Sequence, residues 1–307
     1  MQFHATSLGE AVPRENFEAV IQSVFDSAVN LRLTHEDRLI TVLLSDHYEL
    51  PQGIRIATKG VPLHSLTIDQ GAAARGGILR FASFPLTIDL RGAPVWNCHV
   101  RELHTDMSAL SVQESWSTTW ELLNKGQRLR STDIVAADLL QKNIGSALNR
   151  RMSGPVIQLI AAAEQLDIEA SMQAARQMIG LGPGVTPSGD DILMGFLAGL
   201  WSLVVEHQAQ LLFIHSFGNA LMQIAAQTNE ISRTYLYHAT QGQFSSSLSN
   251  LAQAIARSSD VEQAAHRAMR VGHSSGMDSD TGLLIGLSVW KKSAPAVASS
   301  PVPVGEW

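Results

Sequence analysis

The residues of this 307-residue chain best suited to chemistry crowd into two short segments. Gly180 to Leu200 reads GLGPGVTPSGDDILMGFLAGL, and Ser275 to Leu287 reads SGMDSDTGLLIGL. Setting Ser188 over Ser275, an offset of 87 residues, aligns Gly189 with Gly276, Asp191 with Asp278, Gly195 with Gly282, Leu197 with Leu284, Gly199 with Gly286 and Leu200 with Leu287. Each position has a physical use. Ser188 and Ser275 suit a helix N-cap, and Asp191 and Asp278, three residues on, suit the first turn. Two such starts side by side offer free N–H groups and two positive dipole ends, the elements of an anion site. The upstream loop, with Gly182, Gly184 and Thr186, supplies further amides, and Pro183 and Pro187 stiffen it. Ser188, Gly189, Ser275 and Gly276 are the expected anion-contacting residues. Carboxylates repel an anion, so Asp190, Asp191 and Asp278 are assigned to substrate N–H or O–H groups, or to a Mg2+ that bridges to the anion. No cofactor is otherwise required.

The elements that must position these residues follow from periodicity. Gly195 and Gly199, like Gly282 and Gly286, lie four apart on one helix face. A helical glycine costs roughly 1 kcal/mol against alanine, so matched pairs predict two helices in close backbone contact. The chain as a whole reads as α+β. After an expected helix over residues 14–29, the segments at 38–47, 53–60, 64–71, 76–83 and 86–96 are short, rich in Ile, Leu, Val and Thr, and divided by Gly, Pro or Asp. That rhythm predicts a strand-rich N-terminal domain over residues 1–105, an antiparallel sheet or small barrel. From 106 to 290 the apolar spacing turns helical, including a stretch at 131–148, and both glycine-bearing segments fall in this helical domain. Residues 291–307, rich in Pro, Ala and Ser, are expected to stay disordered.

Composition narrows the function classes. The formal net charge is -6 and there is no run of Lys or Arg, which argues against nucleic acid or an anionic membrane as partner. The longest apolar run, Ile192 to Val205, is short of the roughly 20 residues of a bilayer span and predicts a core helix. The N-terminus carries no export pattern, and the lone Cys98 excludes a disulfide within the chain and a multi-cysteine zinc cluster, so the expected compartment is the cytoplasm. No H-x-x-x-H pair, Walker A loop or G-x-S-x-G elbow is present.

Weaker candidates stand between and around the two segments. Arg233 could clamp a carboxylate or phosphate, with Thr228 and Ser232 presenting hydroxyls four residues apart on the same side, although capping and surface pairing explain such residues equally well. His273 precedes the second segment and could exchange a proton or simply sit in a loop. Arg75 reads as surface charge on a flexible loop.

The two glycine-rich segments resemble the signature segments of the AllH family, and the likeness extends to VFDSAVNL near the front and to TNEISRTYLYHATQG between them. Met277 stands where many members are expected to carry an aromatic. The resemblance implies a subunit of a three-part oxamate carbamoyltransferase of allantoin and purine catabolism, converting oxalurate and phosphate to oxamate and carbamoyl phosphate, or a paralogue for a related carbamoyl or acyl anion. It implies partner subunits and a small anionic substrate. Two roles remain open, a subunit that binds the anion at the paired helix starts and a non-catalytic scaffold.

Overall fold

The computed structural model of the chain describes residues 1–36, 38–57, 60–203 and 207–290. Nine strands come first: β1 (Gln2–Gly9), β2 (Phe17–Val24), β3 (Ala28–Leu33), β4 (Leu39–Leu44), β5 (Gly53–Ile56), β6 (Gly71–Arg75), β7 (Ile78–Phe81), β8 (Thr87–Asp89) and β9 (Val95–Trp96). They bond in the order β5-β4-β3-β2-β6-β7-β8-β1, and β1 also pairs with β5, so eight strands close into a barrel with β9 added to β1. Closure leaves no free sheet edge around the ring. Most neighbours are antiparallel, but β1 runs parallel to β8 and β9, and β4 parallel to β5. Ile21, Val29, Leu31, Val42, Ile54, Ile56, Leu79 and Ile88 fill the interior.

Two local expectations for this half are corrected. Residues 14–29 form no helix: they make β2, a turn in which Phe25 N–H bonds the Ala28 carbonyl, and the start of β3. In β2 the buried residues are Phe17, Ala19 and Ile21, with Glu18 exposed between, a period of two. The segment at 64–71 is not a strand either. It carries a short 3-10 turn over Leu63–Ser65 that buries Leu63 and Leu66 against the barrel, and Asp69 at φ 67° turns the chain into β6. Arg75 ends β6 instead of lying on a loop, and pairs with Glu18 across from it.

Ten helices follow: α1 (Leu110–Leu129), α2 (Ala136–Leu139), α3 (Ala147–Glu164), α4 (Ile168–Met178), α5 (Ser188–Leu203), α6 (Gln208–Ile224), α7 (Glu230–Thr240), α8 (Ser246–Arg257), α9 (Val261–Ala268) and α10 (Ser275–Ser288). The long helix expected at 131–148 shrinks to the single turn of α2. Left-handed Asn143 and Gly145 break it, and Ser146 caps α3 by accepting from Asn149 N–H. The tail at 291–307 and the last residues of the apolar run, 204–205, lie outside the described residues. No helix among those described is long and apolar enough to cross a membrane.

Helices α5 and α10 form the centre of this half, buried over almost their whole length. Their glycines make the contact. A methyl group on Gly195 would fall 1.9 Å from the Ser279 carbonyl oxygen, and one on Gly282 would fall 2.1 Å from that of Ile192. Gly199 and Gly286 are equally tight, at 2.6 Å from the Leu283 carbonyl and 2.4 Å from that of Phe196. The remaining helices wrap this pair. From α1, Gln127 donates to Thr281 and the Trp116 indole to the Leu284 carbonyl, while Trp201 of α5 donates to the Ala239 carbonyl of α7. The barrel is sewn to the helices by reciprocal bonds between Glu49 and Ser246, by Phe244 N–H to the Cys98 carbonyl, and by the Arg32–Glu230 ion pair at 2.7 Å.

Candidate functional site

The shared Ser-Gly-x-Asp pattern is built twice and the two copies meet. Hydrogen bonding of α5 begins at the Pro187 carbonyl, which accepts from Asp191 N–H, and that of α10 at the Ser274 carbonyl, which accepts from Asp278 N–H. Ser188 and Ser275 are therefore first helical residues, not the expected caps. Gly189 and Gly276 let each helix start abut the helix before it: an added methyl would lie 1.9 Å from the Met178 carbonyl oxygen in one case and 2.2 Å from that of Ala268 in the other. Relieved of capping, the serine hydroxyls reach across the pair. Ser275 lies 2.7 Å from the Thr186 hydroxyl, which in turn donates to Asp191 at 3.0 Å. Ser188 approaches Asp278 in the mirrored sense.

Two of the amides assigned to an anion, those of Gly189 and Gly276, are spent inside the chain, as are those of the neighbouring Asp190 and Gly180. Gly189 N–H bonds the Leu181 carbonyl, Asp190 N–H bonds that of Pro187, Gly276 N–H bonds that of Val271, and Gly180 N–H donates to Asp190 at 2.7 Å. Acidic groups crowd the helix starts instead. Asp190, Asp191, Asp278 and the neighbouring Asp280 are all buried. Burial raises the Asp191 carboxyl well above the usual range, with repulsion from Asp278 adding to it and the Thr186 and Ser275 hydroxyls opposing it. Burial likewise pushes Asp278 up to about 7, and raises Asp280 well above its ordinary value with further repulsion from Asp278. Neither oxygen of Asp278 makes an aligned hydrogen bond, and the same holds for Oδ2 of Asp280. Asp190 is raised by burial but satisfied, since it accepts from Gly180 N–H and the Thr228 hydroxyl.

A cavity of about 380 Å3 opens where this pair meets the barrel. Of the residues singled out by sequence, Thr186, Asp191, Ser275 and Gly276 line it. Asp278, Ser188 and Gly189 are not among its lining residues. Asp190 with Thr228 forms a latch that ties the α4–α5 loop to the start of α7, and the Ser232 hydroxyl beside it has no aligned partner. Gly182 and Gly184, at φ 122° and 101°, shape the loop; a side chain at Gly182 would also strike Ser188. Arg233 lies in a separate hollow with Arg38 and Tyr237, and His273 is exposed. The structure thus brings four of the sequence candidates to the cavity wall and leaves the others as support or elsewhere.

Several lining residues escaped the sequence reading. Asp280 and Ser279 come from α10, Tyr235 and His238 from α7, and Asn30, Thr41, Tyr48 and Gln52 from the barrel. Tyr48 and Tyr235 face each other, and burial together with the Asp191 charge raises both phenols. His238 is 2% exposed; its Nδ1 lies 2.9 Å from Gln243 Oε1, and its Nε2 has no partner. The Gln243 oxygen can only accept, so Nδ1 carries the proton and Nε2 is a bare acceptor. Burial lowers this imidazole to about 4 and holds it neutral. Gln52 Oε1 is a further buried acceptor without a partner. A second hollow of about 730 Å3 adjoins the cavity, sharing Tyr48, Val271 and Gly272 with it. It carries Arg257, Arg267 and Arg270, none of which forms an ion pair among the described residues.

Residues 178–287 match the family described as oxamate carbamoyltransferase subunit AllH, and residues 4–95 match the AllH family N-terminal domain. The chain belongs to the AllH family. No solved structure matches it. The AllH match opens at the last residue of α4 and closes near the end of α10, so it contains both copies of the Ser-Gly-x-Asp pattern. The AllH N-terminal match spans the closed barrel. The family describes a subunit of oxamate carbamoyltransferase, in agreement with the function the sequence resemblance implies.

Proposed function

We propose that this chain contributes a substrate site to an oxamate carbamoyltransferase, at the cavity where α5 and α10 begin, and that it does so together with further subunits. The observation that carries the reading is a pair of buried acceptors without partners on residues that line one cavity, Gln52 Oε1 and His238 Nε2. Buried acceptors without donors cost on the order of 1–3 kcal/mol each, so the pair favours a ligand rich in N–H groups. The ureido group of oxalurate supplies them. Its carboxylate and the phosphate co-substrate are anions, and the arginine-bearing hollow next door is the surface suited to them. On this reading the anion sits at Arg257, Arg267 and Arg270 rather than at the helix starts, where the Gly189 and Gly276 N–H groups bond the Leu181 and Val271 carbonyls.

In the reaction a phosphate oxygen attacks the carbamoyl carbon, the bond from that carbon to the oxamate nitrogen breaks, and the nitrogen takes a proton. Asp191, whose carboxyl burial and Asp278 raise well above the usual range, is the group placed to give that proton, and Thr186 fixes its orientation. His238 Nε2 accepts a substrate N–H and orients the carbamoyl group. A Mg2+ ion is the other occupant that oxygen acceptors of this kind suit, held by one or two carboxylates and by the phosphate. The role of pure scaffold makes the opposite prediction for the following experiment.

The complete complex is assembled with Asp191→Asn, which retains a carbonyl for Thr186, and phosphate-dependent oxalurate cleavage is followed. The expected result is a normal fold and a rate at least tenfold lower, about 1.4 kcal/mol of activation barrier. Wild-type rates from a folded Asp191→Asn chain would place the chemistry on a partner.

A further inference from the structure

Beside this cavity, where the chain leaves β1 and β9, Glu10, Cys98 and His99 bring three different metal-ligating atoms within 4.8 Å of one another. The pairing of β1 with β9 makes the juxtaposition: Gly9 lies opposite Trp96, so the residues that leave each strand emerge side by side. Glu10 Oε2 is 3.6 Å from Cys98 Sγ and 2.9 Å from His99 Nε2. Cys98 is fully buried, and Glu10 and His99 are half-buried.

We propose that these three side chains hold a zinc ion through Cys98 Sγ, His99 Nε2 and Glu10 Oε2, with a fourth position open to water or a ligand. For tetrahedral zinc, ordinary bond lengths give an S···O edge of about 3.6 Å and an N···O edge of about 3.4 Å. The first is already met, and the second needs an opening of about half an ångström by two half-buried side chains. A thiolate, an imidazole and a carboxylate together suit zinc better than a hard cation such as Mg2+ or Ca2+. On binding, the cysteine proton passes to solvent and the sulfur coordinates as thiolate.

The frame around the three ligands is tied down on each side. The Cys98 carbonyl accepts from Phe244 N–H at 3.0 Å, His99 N–H donates to Asn97 at 2.9 Å, and Ala11 N–H bonds the Pro51 carbonyl at 2.9 Å. His99 also bridges to Gln243, the residue that orients His238. A metal here would hold the chain beyond β9 where it bridges to Gln243, between α7 and α8. Sequence spacing could not disclose it, because 88 residues separate Glu10 from Cys98.

The test is titration of the untagged, metal-free full-length chain with Co2+, followed by competition with Zn2+. Wild type should develop a thiolate-to-cobalt charge-transfer band with tetrahedral d–d absorption, and Zn2+ should abolish both. Cys98→Ser should lose the charge-transfer band, and Glu10→Gln and His99→Asn should each weaken Co2+ binding at least tenfold. Should Cys98→Ser fail to fold, the other two, at half-buried positions, carry the test. A wild-type spectrum without a charge-transfer band, or unchanged affinity in both Glu10→Gln and His99→Asn, overturns the proposal.

Discussion

Replacing Gly195 by alanine tests the packing on which the whole site depends. The new methyl would stand 1.9 Å from the Ser279 carbonyl oxygen and 2.8 Å from Leu283 N, both backbone atoms that no rotamer change can remove. Restoring an ordinary contact requires α5 and α10 to part by about 1.5 Å, enough to forfeit much of the dispersion attraction along the seam. Overpacking of this kind costs about 3 kcal/mol at the upper end of its usual range. Alanine returns up to about 1 kcal/mol in helix propensity, leaving a net loss of about 2 kcal/mol. Urea unfolding read by tryptophan fluorescence measures it directly, and Tm should fall by about 5 °C. Gly154→Ala is the control: Gly154 lies in α3 with nothing within 4 Å of an added methyl, so that change should stabilise slightly. Adding Gly282→Ala to Gly195→Ala should cost less than the sum of the two, because the first methyl has already parted the helices. A Gly195→Ala protein as stable as Gly154→Ala would refute the close approach.

Acid strength gives a second prediction. The Asp278 carboxyl, pushed up to about 7 in the fold against an ordinary 3.8, binds protons more tightly folded than unfolded, so stability should fall as pH rises from about 4 to about 7 and then level off. Asp278→Asn should flatten that slope and unfold at higher denaturant than wild type at pH 8, as equilibrium unfolding at pH 5 and pH 8 will show; a steeper slope in the variant would contradict it. Asp190→Ala should strand Gly180 N–H and the Thr228 hydroxyl and destabilise by about 2–3 kcal/mol. Hydrogen exchange should then quicken first in residues 180–187, and uniform protection there would count against the latch.

The repeat was the most legible part of the sequence, because a glycine inside a helix has few uses besides close approach. Gly195, Gly199, Gly282 and Gly286 accordingly announced both the contact and its face. The barrel was visible through its short β-branched runs, but residues 14–29 misled, since FEAVIQSVF satisfies a helical spacing as well as a strand's alternation. Only pairing with β3 and β6 decides between them. The lining of the candidate cavity was half legible. Asp191, Thr186 and Ser275 were found as parts of a turn-and-helix pattern, whereas His238, Gln52 and Tyr48 reach the cavity through tertiary contact and carry no local signal. The use of the Gly189 and Gly276 amides inside the chain was illegible for a similar reason: which amides a loop consumes internally depends on its folded path, not on its glycine count.

The 87-residue offset between the starts of the two matched helices also orders events during synthesis. Every strand needed to close the barrel has been made by Asp89, so that half can fold while the rest is still being translated. The helical half has no such freedom. Its central helix, α5, is apolar on nearly every side and carries two acidic residues in its first turn, yet the surface its glycine face meets belongs to α10, which ends at Ser288. Until that last helix emerges from the ribosome, α5 must be sheltered by other means, and any message cut short before Ser275 yields a closed barrel trailing helices that have nothing to close around.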